Sequence, residues 1–315
     1  MEKIQAIDTM CRSMYCKPET WRGLLECSDL RTILITTFGG TLRQAGLLTP
    51  EDRTVDDVLN KLGLERGETW KLISFVGHST VEEAIKEMDE VGVEKIFIAA
   101  DKLWSWRESK LGIDVSIETI SKMVEESNGR IVGGVSYNPL RIKESLQEIE
   151  TAVRDYGFKY VWFHPVSFGI APNDKKCYPL YAKCLELEIP VCYQSGQCAE
   201  PLPCENGRPY YADDVAIDFP DLTLVLTHTG WPWTTEWMSM LWRHPNVYGN
   251  IGAYFPSFLD PNLVHFMDTT GQDKIFWATN GYGLARSKSE FMELPVRDRV
   301  KKKVLRENAI RVFKL

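Results

Sequence analysis

Arg130-Ile131-Val132-Gly133-Gly134-Val135-Ser136-Tyr137, an amphipathic stretch from Lys143 to Tyr156, then Tyr160-Val161-Trp162-Phe163-His164: this passage decides the fold. The two outer runs are short, apolar and without polar alternation, as in strands covered on both faces. The stretch between them places its apolar residues at helical spacing, and Gly157 follows as a stop. A strand, a helix and a second strand in so short a span form a parallel β/α unit.

The same pair recurs in both directions. Strand runs are expected at Lys3 to Asp8, Glu94 to Ala100, Arg130 to Tyr137, Tyr160 to His164, Pro190 to Gln194, Leu222 to His228, Asn246 to Ile251 and Lys274 to Asn280. Helices are expected at Thr80 to Val91, Ser116 to Ser127, Lys143 to Tyr156, Tyr178 to Leu187, Tyr211 to Phe219, Thr234 to Arg243, Pro261 to Thr269 and Pro295 to Val312. Thr80 before Glu82-Glu83 reads as a helix start, and Gly92 as a stop. Eight such units predict an α/β fold, a (β/α)8 TIM barrel. An open doubly wound sheet is disfavoured, because no Gly-x-Gly-x-x-Gly follows the first strand and no P-loop occurs. The whole chain, 1–315, reads as one domain, with 9–79 a long insertion after the first strand. Loops that follow strands lie on the active face of a barrel, so the insertion is expected to cover the mouth as a lid or partner surface.

Composition narrows the function. The chain has 37 Lys and Arg against 44 Asp and Glu, a formal net charge of −7 and a sequence pI of about 5.4. No basic field is available for nucleic acid. No apolar run approaches the roughly 20 residues of a membrane span. Met1-Glu2-Lys3-Ile4 lacks the pattern of a secretory signal, so a cytoplasmic location is expected, with the 8 cysteines as reduced, structural thiols.

Barrel chemistry sits where strands end. Those ends read Asp8-Thr9-Met10-Cys11-Arg12, Asp101, Asn138-Pro139, His164-Pro165, Tyr193-Gln194-Ser195-Gly196, His228-Thr229-Gly230-Trp231 and Thr279-Asn280-Gly281. Two of only 5 histidines, His164 and His228, therefore face one mouth. His78, His244 and His265 fall in or beside helical segments and read as structural.

Met88-Asp89-Glu90-Val91-Gly92-Val93, Gly129-Arg130-Ile131-Val132-Gly133, His164-Pro165, Pro179-Leu180-Tyr181, Ile189-Pro190-Val191, His228-Thr229-Gly230, Pro245-Asn246-Val247-Tyr248 and Asn308-Ala309 occur in barrel order. Together they resemble the amidohydrolase-related proteins, the barrel hydrolases and decarboxylases of the amidohydrolase superfamily. The resemblance implies a divalent metal site made by two histidines at the end of the first strand, one at the fifth, one at the sixth and an aspartate at the eighth. Here those positions hold Met10, Arg12, Gln194, His228 and Asn280. A guanidinium repels a divalent cation, and neutral amides are weak ligands beside imidazole or carboxylate. The family's metal is accordingly not expected; a shifted set of Asp8, His164 and His228, with Asp101 nearby, is the remaining arrangement.

Three functions follow from the resemblance and the altered positions. The first is a non-catalytic or weakly active barrel that forms a homo- or hetero-oligomer with a related active hydrolase or lyase subunit, with Trp104, Trp106, Trp231, Trp233 and Trp237 as candidate interface aromatics. The second is a metal-independent hydrolase or decarboxylase of a small carboxylate or lactone. In that case His228, His164 and Asn280 carry the catalysis, and Arg12, Gln194, Tyr193, Asp101 and Trp231 bind substrate. The third is a barrel that senses a small carboxylate without turning it over.

Overall fold

The computed structural model describes residues 4–44, 46–52, 54–65, 68 and 77–315. Ten strands are assigned among them: β1 (Ala6–Asp8), β2 (Val93–Ala100), β3 (Lys102–Ser105), β4 (Lys110–Asp114), β5 (Ile131–Ser136), β6 (Tyr160–Phe163), β7 (Val191–Gln194), β8 (Leu224–Thr227), β9 (Val247–Asn250) and β10 (Ile275–Phe276). Eight of them form one parallel sheet in the order β1-β2-β5-β6-β7-β8-β9-β10. Past the ends of β1 and β10 the seam is joined by backbone bonds from Thr9 N to Trp277 O (3.2 Å) and from Asn280 N to Met10 O (2.8 Å). The expected (β/α)8 barrel is the fold observed. The first expected strand begins at Lys3, outside the described residues.

The core follows strand parity. Ser136 stands opposite Trp162, so both project to the same side of the sheet. Tyr160 and His164 share that parity on β6. Deeper in the barrel, Phe97, Tyr160 and Phe276 surround Phe313 of the helix Asn308–Phe313, with ring centroids 4.7, 6.3 and 5.5 Å away. This aromatic plug closes one end of the barrel and leaves the strand C-termini as the open end.

The expected helices occur with small shifts, for instance Val81–Val91 and Thr234–Arg243. Thr80 caps the first of these in a reciprocal capping box with Glu83, and Gly92 ends it at φ 80°. The segment expected as one helix from Pro295 to Val312 is Asp298–Lys302, a π turn Lys303–Glu307 and Asn308–Phe313 in succession. Elements that were not anticipated include the antiparallel hairpin β3/β4 that follows β2, and the helix Leu284–Glu293, which starts from Gly283 at φ 63° with no side-chain cap.

The insertion after β1 contains the short helices Arg22–Glu26, Ile33–Thr36, Gly39–Gln44 and Val55–Leu62; residues 69–76 lie outside the described residues. Buried Asp29 fixes it to the hairpin. Its carboxylate accepts bonds from Ser105 Oγ (2.6 Å), Trp106 N (2.9 Å) and Arg107 N (3.1 Å). Among the described residues, no helix is long and apolar enough to cross a membrane.

Candidate functional site

A cavity of about 470 Å³ opens at the strand C-termini. Its floor is polar: Arg12, His164, Gln194, His228 and Asn280. Its walls include Phe255, Trp231, Tyr254 and Tyr282 from loops after β8, β9 and β10, and Trp21, Ile33, Thr36 and Thr37 from the insertion. The insertion thus forms part of the wall over the mouth.

Arg12 organises the floor. It follows β1, and Gly281 at φ 86° allows the close approach, since a Cβ there would lie 3.0 Å from Arg12 N. Its Nε donates to Asn280 Oδ1 (2.8 Å) and its Nη1 to Asp101 Oδ1 (3.3 Å), while the guanidinium stacks 4.1 Å from the centre of the Trp162 ring. The side chain is therefore held by three neighbours in one orientation. Asp101 is 1% exposed, its Oδ2 has no hydrogen-bond partner among the described residues, and burial raises its pKa against the opposing pull of Arg12.

The two histidines are fixed differently. His164 caps the short helix Pro165–Phe168, its Nδ1 accepting from Ser167 N at 3.0 Å. An Nδ1 that accepts has no proton, so the neutral ring carries its proton on Nε2 and is a donor there. His228 sits at φ 62°, a left-handed conformation that a non-glycine residue adopts only when its surroundings enforce it. Asn250 Oδ1 accepts from its backbone N (3.2 Å), its Nδ1 lies 3.2 Å from Thr227 Oγ1, and its Nε2 lies 3.4 Å from Asn280 Oδ1. Burial, and then the Arg12 charge, holds His228 down to about 3. The same two causes, in that order, keep His164 well below its usual value. Both rings are neutral at physiological pH, so Arg12 supplies the cavity's positive charge.

Of the expected site residues, Arg12, His164, Gln194, His228, Asn280 and Trp231 line the cavity. Tyr193 and Asp101 do not. Tyr193 is adjacent to inward-facing Gln194 on β7, so the pleat turns its fully buried side chain away from the cavity. Asp101 lies behind Arg12. Among the wall residues not anticipated are Trp21, Cys198 and Glu200. Glu200 is 6% exposed and burial raises its carboxyl pKa, with Arg12 opposing. It lies in the loop after β7, six residues beyond Gln194 at the strand end. His244 bonds Asp213 (2.6 Å) and His78 bonds Glu87 (2.8 Å), away from the cavity. Trp237 is wholly buried, its Nε1 donating to Leu226 O (3.0 Å), so it is a core residue.

Residues 101–315 match the sequence profile of the amidohydrolase family. The chain belongs to the amidohydrolase family. Among curated proteins, none matches it. Among solved structures, it is similar to an uncharacterised TIM-barrel protein from Bordetella bronchiseptica: 22% identity, TM-score 0.70, 98% of each chain covered. It is also similar to 2,6-dihydroxybenzoate decarboxylase from Rhizobium, with 15% identity, TM-score 0.65, and 100% of this chain and 99% of that one covered. A third is a dihydroxybenzoic acid decarboxylase from Polaromonas with bound manganese: 14% identity, TM-score 0.62, 100% of this chain and 98% of that one covered. Identities this low establish the shared barrel.

A divalent metal is a poor fit to the floor of this cavity. Asn280 Oδ1 already accepts from Arg12 Nε, and the guanidinium places a positive charge among the positions where ligands are expected. The shifted set fares no better. Both oxygens of Asp8 are engaged at the seam, by Met10 N (3.1 Å), Thr279 N (3.0 Å) and Thr279 Oγ1, and Asp8 does not line the cavity. Among the described residues, no three His, Cys, Asp or Glu side chains are grouped to hold a metal ion.

Proposed function

We propose that this amidohydrolase-family barrel binds a small organic carboxylate in its mouth without a metal, and that it is a non-catalytic or weakly active member. The observation that carries this reading is the immobilised Arg12 on the cavity floor. Two of its nitrogens are paired, while no partner of Nη2 is found among the described residues. A guanidinium fixed beforehand loses little freedom on meeting a carboxylate. His164 Nε2–H and the Gln194 amide add neutral donors on the same floor, and the aromatic walls suit an apolar body on the acid. The solved relatives named for dihydroxybenzoate decarboxylation support an aromatic carboxylate as the first probe. Weak activity is favoured by the absence of a basic carboxylate from the floor: the position expected for the family's aspartate is the neutral Asn280.

A second reading is supported by one observation, the neutral His228 facing the same cavity. An unprotonated imidazole beside Arg12 is a base for chelator-insensitive hydrolysis or decarboxylation. The test is titration of 2,6-dihydroxybenzoate and benzoate, followed by the fluorescence of Trp21 and Trp231, into wild type and Arg12→Gln with and without EDTA. Binding that survives EDTA and weakens at least tenfold in Arg12→Gln is expected. Equal affinity in the variant, or loss of binding with EDTA, overturns the proposal. Turnover lost in His228→Gln but indifferent to EDTA would select the second reading.

A further inference from the structure

The loop after β7 carries the feature that the functional reading leaves unused. Cys198 and Cys204 place their sulfurs 3.6 Å apart, with Cys198 in the cavity wall and Cys204 outside it, between exposed Pro203 and Glu205. The other six cysteines are buried and show no such thiol pair. The loop is anchored where it leaves the strand. Gly196, at φ 82°, bonds Gly207 O (2.6 Å), and Gln197 N bonds Trp231 O (2.7 Å). Farther on it touches the insertion, where Thr36 Oγ1 donates to Ala199 O (3.1 Å). The thiols themselves donate to carbonyls of their own loop, Cys198 to Glu200 O (3.3 Å) and Cys204 to Leu202 O (3.2 Å).

We propose that Cys198 and Cys204 are a reversible oxidation site, forming a disulfide with a low-molecular-weight disulfide as oxidant and thereby reshaping the wall of the carboxylate cavity. A bonded sulfur pair is about 2.05 Å apart, so an approach of roughly 1.5 Å completes the bond. The partly exposed Cys204 is the entry point. Its contact with Cys198 draws the Cys204 thiol below its usual value, whereas the same contact and burial push Cys198 up. The Cys204 thiolate attacks one sulfur of oxidised glutathione, forming a mixed disulfide and releasing one glutathione thiolate. Cys198 then loses its proton and attacks the Cys204 sulfur, expelling the second glutathione. The two protein thiols lose two electrons and two protons, and the glutathione disulfide becomes two thiols. Closure draws Cys198 out of the wall towards Cys204 and carries Ala199 and Glu200 with it. Only this consequence for ligand binding rests on the carboxylate reading.

The experiment treats the full chain with excess oxidised glutathione, blocks remaining thiols with an alkylating agent, and maps each cysteine by peptide mass. A disulfide confined to Cys198 and Cys204, reversed by dithiothreitol, is expected, with Cys198→Ser retaining glutathione on Cys204 and Cys184→Ser/Cys192→Ser oxidising like wild type. Both thiols alkylated after oxidation, or glutathione persisting on Cys204 of the wild type, overturns the site. Altered hydrogen exchange over residues 196–204 and at least threefold weaker binding of 2,6-dihydroxybenzoate are expected in the oxidised form. Unchanged exchange together with unchanged affinity overturns the effect on the wall. Failure of the reduced protein to bind the probe overturns the carboxylate reading, while the mass map and the exchange still score the disulfide.

Discussion

Two buried aspartates sit at the ends of neighbouring strands, and the protein treats them in opposite ways. Asp8, at the seam, receives three hydrogen bonds and contacts no cavity. Asp101, behind the cavity floor, has one oxygen on Arg12 and the other without a partner among the described residues. Buried polar groups are normally satisfied, and one left open at a mouth carries its cost for something other than cohesion. The seam is built to hold the barrel shut, and the floor to hold a charge in place.

The largest effect that tests this contrast is Arg12→Ala. It leaves Asp101 buried with neither charge nor donor opposite it, which costs on the order of 3–5 kcal/mol when a buried pair is broken from one side. Urea denaturation measures it, and a loss below about 1 kcal/mol would show that Asp101 is already protonated and indifferent to its neighbour. Asp8→Ala comes next. It strands Met10 N and Thr279 N in the seam, an expected loss of about 2–3 kcal/mol, whereas Asp8→Asn keeps an acceptor and is expected to lose less. Asp101→Asn is the smaller perturbation, within about 1 kcal/mol in stability, because an amide oxygen still meets Arg12. If it proves as damaging as Asp8→Ala, the contrast between the two regions collapses.

The smallest effect is a difference in pH dependence. Burial raises Asp8 to about 7, so the folded protein holds a proton that the unfolded chain gives up near 4. Stability from this group is fully present below about 4 and is lost as pH rises through 7. His228 and His164 act in the other direction. Their pKa values are depressed, so their contribution is present above the unfolded value of about 6.5 and is lost as pH falls below it. Denaturation midpoints between pH 7 and pH 4 are expected to fall more steeply in Asp8→Asn than in wild type, and less steeply in His228→Gln.

The barrel was legible because its strands are covered on both faces. Runs such as Tyr160 to Phe163 have no wet side to blur them, and the caps at Thr80 and Gly92 mark the helix ends. The hairpin β3/β4 escaped notice because it lies inside a loop and packs on the insertion, a tertiary contact that leaves no local period. The helix Leu284–Glu293 escaped because it begins at a left-handed glycine and bears an exposed face of charge. On the floor, the rule that strand ends carry chemistry found Arg12, His164, Gln194, His228 and Asn280. Tyr193 was separable from Gln194 by strand alternation alone. Trp21, Cys198 and Glu200 were not accessible in this way, since each reaches the wall through the path of a long loop.

The seam has a further consequence. It joins Thr9 to Trp277 across 268 positions of chain, so while the molecule assembles the margins of β1 and β10 wait longest for each other. These are also the shortest strands of the sheet, with 3 and 2 residues. A half-closed barrel therefore offers other molecules very little open edge, and short edges are poor templates for edge-to-edge aggregation.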